Sequence, residues 1–195
     1  MKNAKTIKLL QTALLAALCY VSFTFLQIKI PLPGGDASSI HIGNAFCVLA
    51  ALLLGGTYGG LAGAIGMTIA DLMDPVYITV APKTFILKLC IGLITGLIAH
   101  KIAKISKSKD KKYILKWSII ASIGGLAFNI IFDPIVGYLY KQYLLGMPQD
   151  AATLLAKLSA VTTFINAIVS TILVVIIYNS LRPLLEKNKL LLPVE

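Results

Sequence analysis

Residues 43–101 read GNAFCVLAALLLGGTYGGLAGAIGMTIADLMDPVYITVAPKTFILKLCIGLITGLIAHK. An apolar run stops at Gly55-Gly56-Thr57-Tyr58-Gly59-Gly60 and resumes with glycines at helical spacing. It ends in Asp71 and Asp74, after which Pro75 cannot continue a helix. A further apolar run follows, with Lys83 and Lys88 near its start. Charges are expensive beside hydrocarbon, so four of them at one end of hydrophobic segments point to a site rather than a surface.

The rest of the chain sets the class. Of 195 residues, 57% are hydrophobic and 13% charged, against about 25% charged in soluble domains. Mean hydropathy is +0.85. This composition predicts an all-α, polytopic membrane protein, folded as a single integral membrane domain over 1–195. Its six transmembrane helices fall at about 7–28, 42–55, 58–73, 83–103, 113–140 and 158–181, near the roughly 20 residues that cross a bilayer. The first apolar segment lacks a small-x-small cleavage site and reads as span one rather than a signal peptide. Cys19, Cys47 and Cys90 sit inside apolar runs without metal-ligand spacing, so no metal or cofactor is expected in this chain.

Six spans put both termini on one side, and the basic residues sort accordingly. Lys2, Lys5 and Lys8 precede span one. Lys101, Lys104, Lys107, Lys109, Lys111, Lys112 and Lys116 lie around the loop between spans four and five. Arg182, Lys187 and Lys189 follow span six, making thirteen of the eighteen basic residues. The positive-inside rule makes that face cytoplasmic. Asp110, Glu186 and Glu195 share it, while the outer half carries five lysines and five aspartates. The net charge of +10 is therefore a topology signal and does not call for a nucleic-acid partner. Membrane lipids are the expected contact of the inner face.

Several polar residues repeat on helical faces. Gly59, Gly63, Gly66 and Ala70 form a small-residue stripe on span three, and Ala13 and Ala17 a small-xxx-small pair on span one. Either could pack within the chain or dock another membrane subunit. Asp71 and Asp74 share a helical face with Thr68; Thr84 and Thr95 lie near the face of Lys88. Asn129 and Asp133 are one turn apart on span five, where Pro134 is expected to kink the helix. Ser159, Thr162, Asn166 and Ser170 line span six. All are richest toward the outer side, which favours a wet pocket there. The Pro-, Gly- and Ser-rich loop from Lys29 to His41 can fold over it as a lid, with His41 and Asn44 where it enters span two. Walker A, HExxH and GxSxG motifs are missing, so uphill transport needs an ion gradient or partner subunits.

The Gly-turn hairpin, the acidic end at Asp71 and Asp74, and the APKTFILK stretch at 81–88 resemble the substrate-binding (S) components of energy-coupling factor vitamin transporters. The likeness covers nearly the whole chain and is weaker from Asn129 to Arg182. It implies capture of a water-soluble vitamin or precursor of the riboflavin, pyridoxine or hydroxymethylpyrimidine type. It implies assembly with a transmembrane coupling protein, met by Ala13 and Ala17, and with two ATPase subunits that use the ATP. The setting is a prokaryotic cell membrane. The implied pocket comprises His41, Asn44, Asp71, Asp74, Tyr77, Lys83, Lys88, Asn129, Asp133 and Asn166. Stacking would come from Tyr77, Phe85, Phe128, Tyr138 or Phe164. Two competing readings are a small membrane enzyme acting on lipid substrates through Asp71 and Asp74, and a ligand-free assembly subunit.

Overall fold

The computed structural model describes residues 2–194, with side chains from Ala4 onward. The side chain of Lys2, and Glu195, both counted above for the inner face, lie outside the described residues. Six α-helices follow in chain order: α1 (Lys2–Phe25), α2 (Gly43–Leu54), α3 (Gly56–Leu72), α4 (Ala81–Gly96), α5 (Lys111–Leu139) and α6 (Gln149–Lys187). Four helical segments are long and apolar enough to cross a membrane: Ala4–Phe25, Ile78–Ile102, Lys111–Leu144 and Gln149–Lys187. The second and third of the helices that form them, α4 and α5, extend through π-helical turns at Leu97–Ile102 and Tyr140–Leu144. The helix of α5 is continuous through Pro134, which lacks the N–H that would bond the Ile130 carbonyl.

The two shorter helices form the centre. α2 has 12 residues, and every one except Phe46 is buried. Apolar on all sides, it can only be enclosed by other helices. Gly55, at φ 89°, then reverses the chain into α3. That φ lies where side-chain-bearing residues are rare.

Glycines bring α3 against three neighbours. A Cβ on Gly59 would lie 2.2 Å from the Ala51 Cα of α2, and one on Gly66 would lie 2.2 Å from the Ala16 carbonyl of α1. The predicted stripe of span three is thus consumed inside the chain. A second seam runs between α3 and α4, where Cβ atoms on Gly92 and Gly96 would lie 2.2 Å from the Cα atoms of Gly60 and Gly56. By contrast, Ala13 and Ala17 are exposed on α1, beside Leu10 and Leu14 at 65% and 63% exposure.

Between α1 and α2 the chain departs from the expected loop. Span one ends at Phe25, not near 28, and Gln27–Pro31 (β1) pairs antiparallel with Ala37–His41 (β2). The register sets Gln27 opposite His41 and Lys29 opposite Ser39. Gly34 and Gly35, at φ 80° and 78°, make the turn. Both chain ends meet at the opposite end of the bundle. Gln11 Nε2 donates to the Leu190 carbonyl at 2.8 Å, and Val194 packs against Gly55.

Candidate functional site: a polar cavity beneath a strand hairpin

The β1–β2 hairpin packs against the first half of α6, and the Asn166 amide is its main fastener. The His41 N–H donates to Asn166 Oδ1 at 2.9 Å, and Asn166 Nδ2 donates to the Ser39 carbonyl at 2.8 Å. An α6 side chain thereby satisfies strand polar groups as a third strand would. Ser38 hydrogen-bonds Thr162, Lys29 pairs with Asp74, and Lys141 pairs with Asp36. The hairpin is tied to the α3–α4 connection on one side and to the end of α5 on the other.

Beneath it lies a cavity of about 110 Å³. Of the residues singled out from sequence, His41, Asn44, Asp71, Tyr77, Lys83, Lys88, Asn129, Asp133 and Asn166 line this one space. Asp74 does not. α3 ends at Leu72, so Asp74 leaves the helical face it was expected to share with Asp71. It turns outward to Lys29, and its Oδ1 accepts the Val76 N–H at 3.0 Å. Burial pushes its carboxyl up, but the Lys29 hydrogen bond and charge, with the Val76 N–H, outweigh that and hold it below the ordinary range.

The two halves of the cavity differ in how well their polar groups are paired. Asp133 is saturated. It accepts from Lys83 Nζ at 3.0 Å, from Ser159 at 2.8 Å and from Thr163 at 3.2 Å. Asp71, 1% exposed, keeps Oδ2 without a partner, and so do Asn44 Oδ1, Asn129 Oδ1 and the Tyr77 hydroxyl. Lys88 is 7% exposed and forms no ion pair among the described residues. Buried polar atoms are nearly always paired, so this cluster presents hydrogen-bonding capacity to whatever fills the cavity.

His41 closes the cavity at the foot of the hairpin. Its Nδ1 accepts the Gly43 N–H at 3.2 Å, and Phe23 meets its ring edge-on at 4.6 Å. Burial, then the nearby Lys88 charge, push its pKa down to about 3, with Asp133 opposing. The imidazole is thus neutral.

Aromatic walls come from Tyr77 and from Phe23, their rings 5.8 Å apart. Phe128 stacks on Phe132 instead, and Phe164 is exposed. Phe23, Thr84 and Ser39 are lining residues that sequence reasoning left out of the pocket. Thr84 was legible as a neighbour on the face of Lys88, whereas Ser39 lies in a strand, Ala37–His41, too short for its alternation to be read. Phe23 is one apolar residue among many in span one and carried no signal.

A family model described as ECF-type riboflavin transporter, S component, matches residues 3–183. The chain belongs to this family. No curated protein and no solved structure matches the chain in the same kind of comparison. As an S component the chain is a membrane transporter component and not an enzyme, so the lipid-enzyme reading of Asp71 and Asp74 falls. The family supports a substrate-binding role in vitamin transport, with partnering to the subunits of an energy-coupling module.

Proposed function

We propose that this S component captures a water-soluble vitamin of the riboflavin, pyridoxine or hydroxymethylpyrimidine type in the cavity beneath the hairpin. The observation that carries the proposal is the set of unpartnered polar atoms around Lys88. A heteroaromatic ring edge with alternating carbonyls and N–H groups complements them. Its N–H donates to Asp71 or an Asn oxygen, and its carbonyls accept from Lys88 or an Asn amide. Such an edge occurs on the pyrimidinedione ring of a flavin, which favours the riboflavin class in line with the family description. Phe23 and Tyr77 supply apolar ring contacts. Asp71 and Asp133 face Lys83 and Lys88 in equal number, which suits a neutral or zwitterionic ligand.

The cavity of about 110 Å³ is small beside the roughly 300–1,000 Å³ usual for ligand sites. A flavin-sized ligand therefore enters with outward movement of the hairpin. The exposed Ala13–Ala17 face of α1 is the surface we assign to the coupling protein, with two ATPase subunits supplying the energy. The setting we assign is a prokaryotic cell membrane, crossed several times.

Thermal unfolding of the purified chain with each of the three vitamins tests the ligand class. A native-state ligand at 100 times its dissociation constant raises stability by about 2.7 kcal/mol. If none of the three raises the midpoint, the assignment is wrong. Co-purification of Ala13→Leu and Ala17→Leu variants with the coupling module tests the docking face; undiminished assembly would refute it.

A further inference from the structure

The end of the bundle away from the hairpin holds a second cavity, of about 750 Å³. The turn from α2 into α3 forms its roof. Gly55 opens α3 without any side-chain cap, so the amides of Gly56, Thr57 and Tyr58 have no acceptor within the helix. Those three residues line the cavity, and the helix dipole adds partial positive charge there. Lys5 and Lys8 of α1 and Lys101 after α4 also line it, and no acidic side chain does so among the described residues. Lys8 sits over the Tyr58 ring, 4.5 Å from its centroid.

His100 adds an independent observation. It lines the same cavity at 7% exposure. Its Nε2 lies 3.0 Å from the Ala51 carbonyl, to which it must donate, leaving Nδ1 as a bare acceptor. That Nδ1 is buried without a partner. A phosphate dianion cannot satisfy it, whereas a hydroxyl can. Two further lining residues, Leu93 and Leu97, are 41% and 53% exposed, so an apolar wall runs from the cavity onto the outer surface.

We propose that this cavity binds the glycerol phosphate headgroup of an anionic phospholipid of the phosphatidylglycerol type. The phosphodiester lies among Lys5, Lys101 and the amides at the start of α3. A glycerol hydroxyl donates to His100 Nδ1, and an acyl chain follows Leu93 and Leu97. Basic cavities between helices on the positively charged side suit such headgroups.

The test is native mass spectrometry of the full chain released from micelles doped with phosphatidylglycerol or phosphatidylcholine. The wild type is expected to retain one phosphatidylglycerol and no phosphatidylcholine. The double variant Lys5→Gln, Lys101→Gln should retain it about 30-fold less well. That follows from about 1 kcal/mol per lysine and 1.4 kcal/mol per tenfold. Thr57→Asp places a carboxylate at the start of α3, which favours the helix but repels phosphate, so it should lose the lipid without losing thermal stability. Vitamin-induced stabilisation is read on the same samples and should be unchanged in both variants. Equal retention of the two lipids, or retention unaffected by either variant, would overturn the proposal. Displacement of the lipid by an equal concentration of inorganic phosphate or glycerol 3-phosphate would also overturn it, and would assign the site to soluble phosphates.

Discussion

Asn166 grips the hairpin at His41 and Ser39 with a single amide, accepting at 2.9 Å and donating at 2.8 Å. Asn166→Ala leaves a buried N–H and a buried carbonyl unpaired, at about 1–3 kcal/mol each. The expected outcome is faster hydrogen exchange at the His41 amide and faster vitamin release. Asn166→Asp keeps the acceptor and loses the donor, so it should fall between the two. Exchange at His41 unchanged in Asn166→Ala would contradict the role assigned to this amide.

Asp71 and Lys88 differ from the paired Lys83 and Asp133 in having capacity to spare. Asp71→Asn and Lys88→Met should each weaken vitamin binding by about 1.5–3 kcal/mol, the range for hydrogen bonds to charged groups. Lys88→Met also removes a buried charge without an ion pair, so the vitamin-free protein should melt no lower than the wild type. Titration calorimetry and thermal melts of the same variants separate the two effects. Unchanged affinity in both would move the binding site elsewhere.

His41 predicts an acid-labile hairpin. Its folded pKa, about 3, lies below the ordinary value of 6.5. Between those values the unfolded chain binds the proton and the folded chain does not. Its contribution is thus complete above 6.5 and is lost as pH falls toward 3, with a slope of up to about 1.4 kcal/mol per pH unit. His41→Gln should flatten the dependence of the melting midpoint between pH 6.5 and 4. An equally steep dependence in the variant would assign the acid sensitivity to other groups.

The α3–α4 seam should tolerate no side chain. In Gly92→Ala the new Cβ would lie 2.2 Å from the Gly60 Cα, and backbone cannot yield as a side chain can. Overpacking of about 1–3 kcal/mol or more is expected, seen as a lower melting midpoint. Gly34→Ala is the comparison, since open space surrounds that position and only its φ of 80° opposes a Cβ. The first variant should melt well below the second.

Helix number and nine of the cavity-lining residues were legible because hydropathy and helical spacing are local properties of the chain. Asp74 was misplaced because the residue before Pro75 is disfavoured in a helix, and the partner it turns to, Lys29, belongs to a distant segment. The hairpin was hidden because strands of five residues with Pro31 at one end give too few alternations to outweigh Pro, Gly and Ser. The Gly60–Gly92 and Gly56–Gly96 contacts were unreadable for another reason. Each pairs glycines on different helices, and nothing in either stretch names its partner.

α2 has only 12 residues, about 18 Å of helix, in a bilayer whose hydrocarbon is about 30 Å thick. Asn44 in its first turn faces one cavity, and Leu54 at its last residue faces the other. The protein between the two cavities is therefore little more than half as thick as the lipid hydrocarbon. Where water fills both cavities, a membrane potential falls mainly along α2, over that shorter distance. At about 2.3 kcal/mol per elementary charge per 100 mV, a charged group or ligand displaced along this axis couples to the voltage more strongly per ångström than one moving through the lipid.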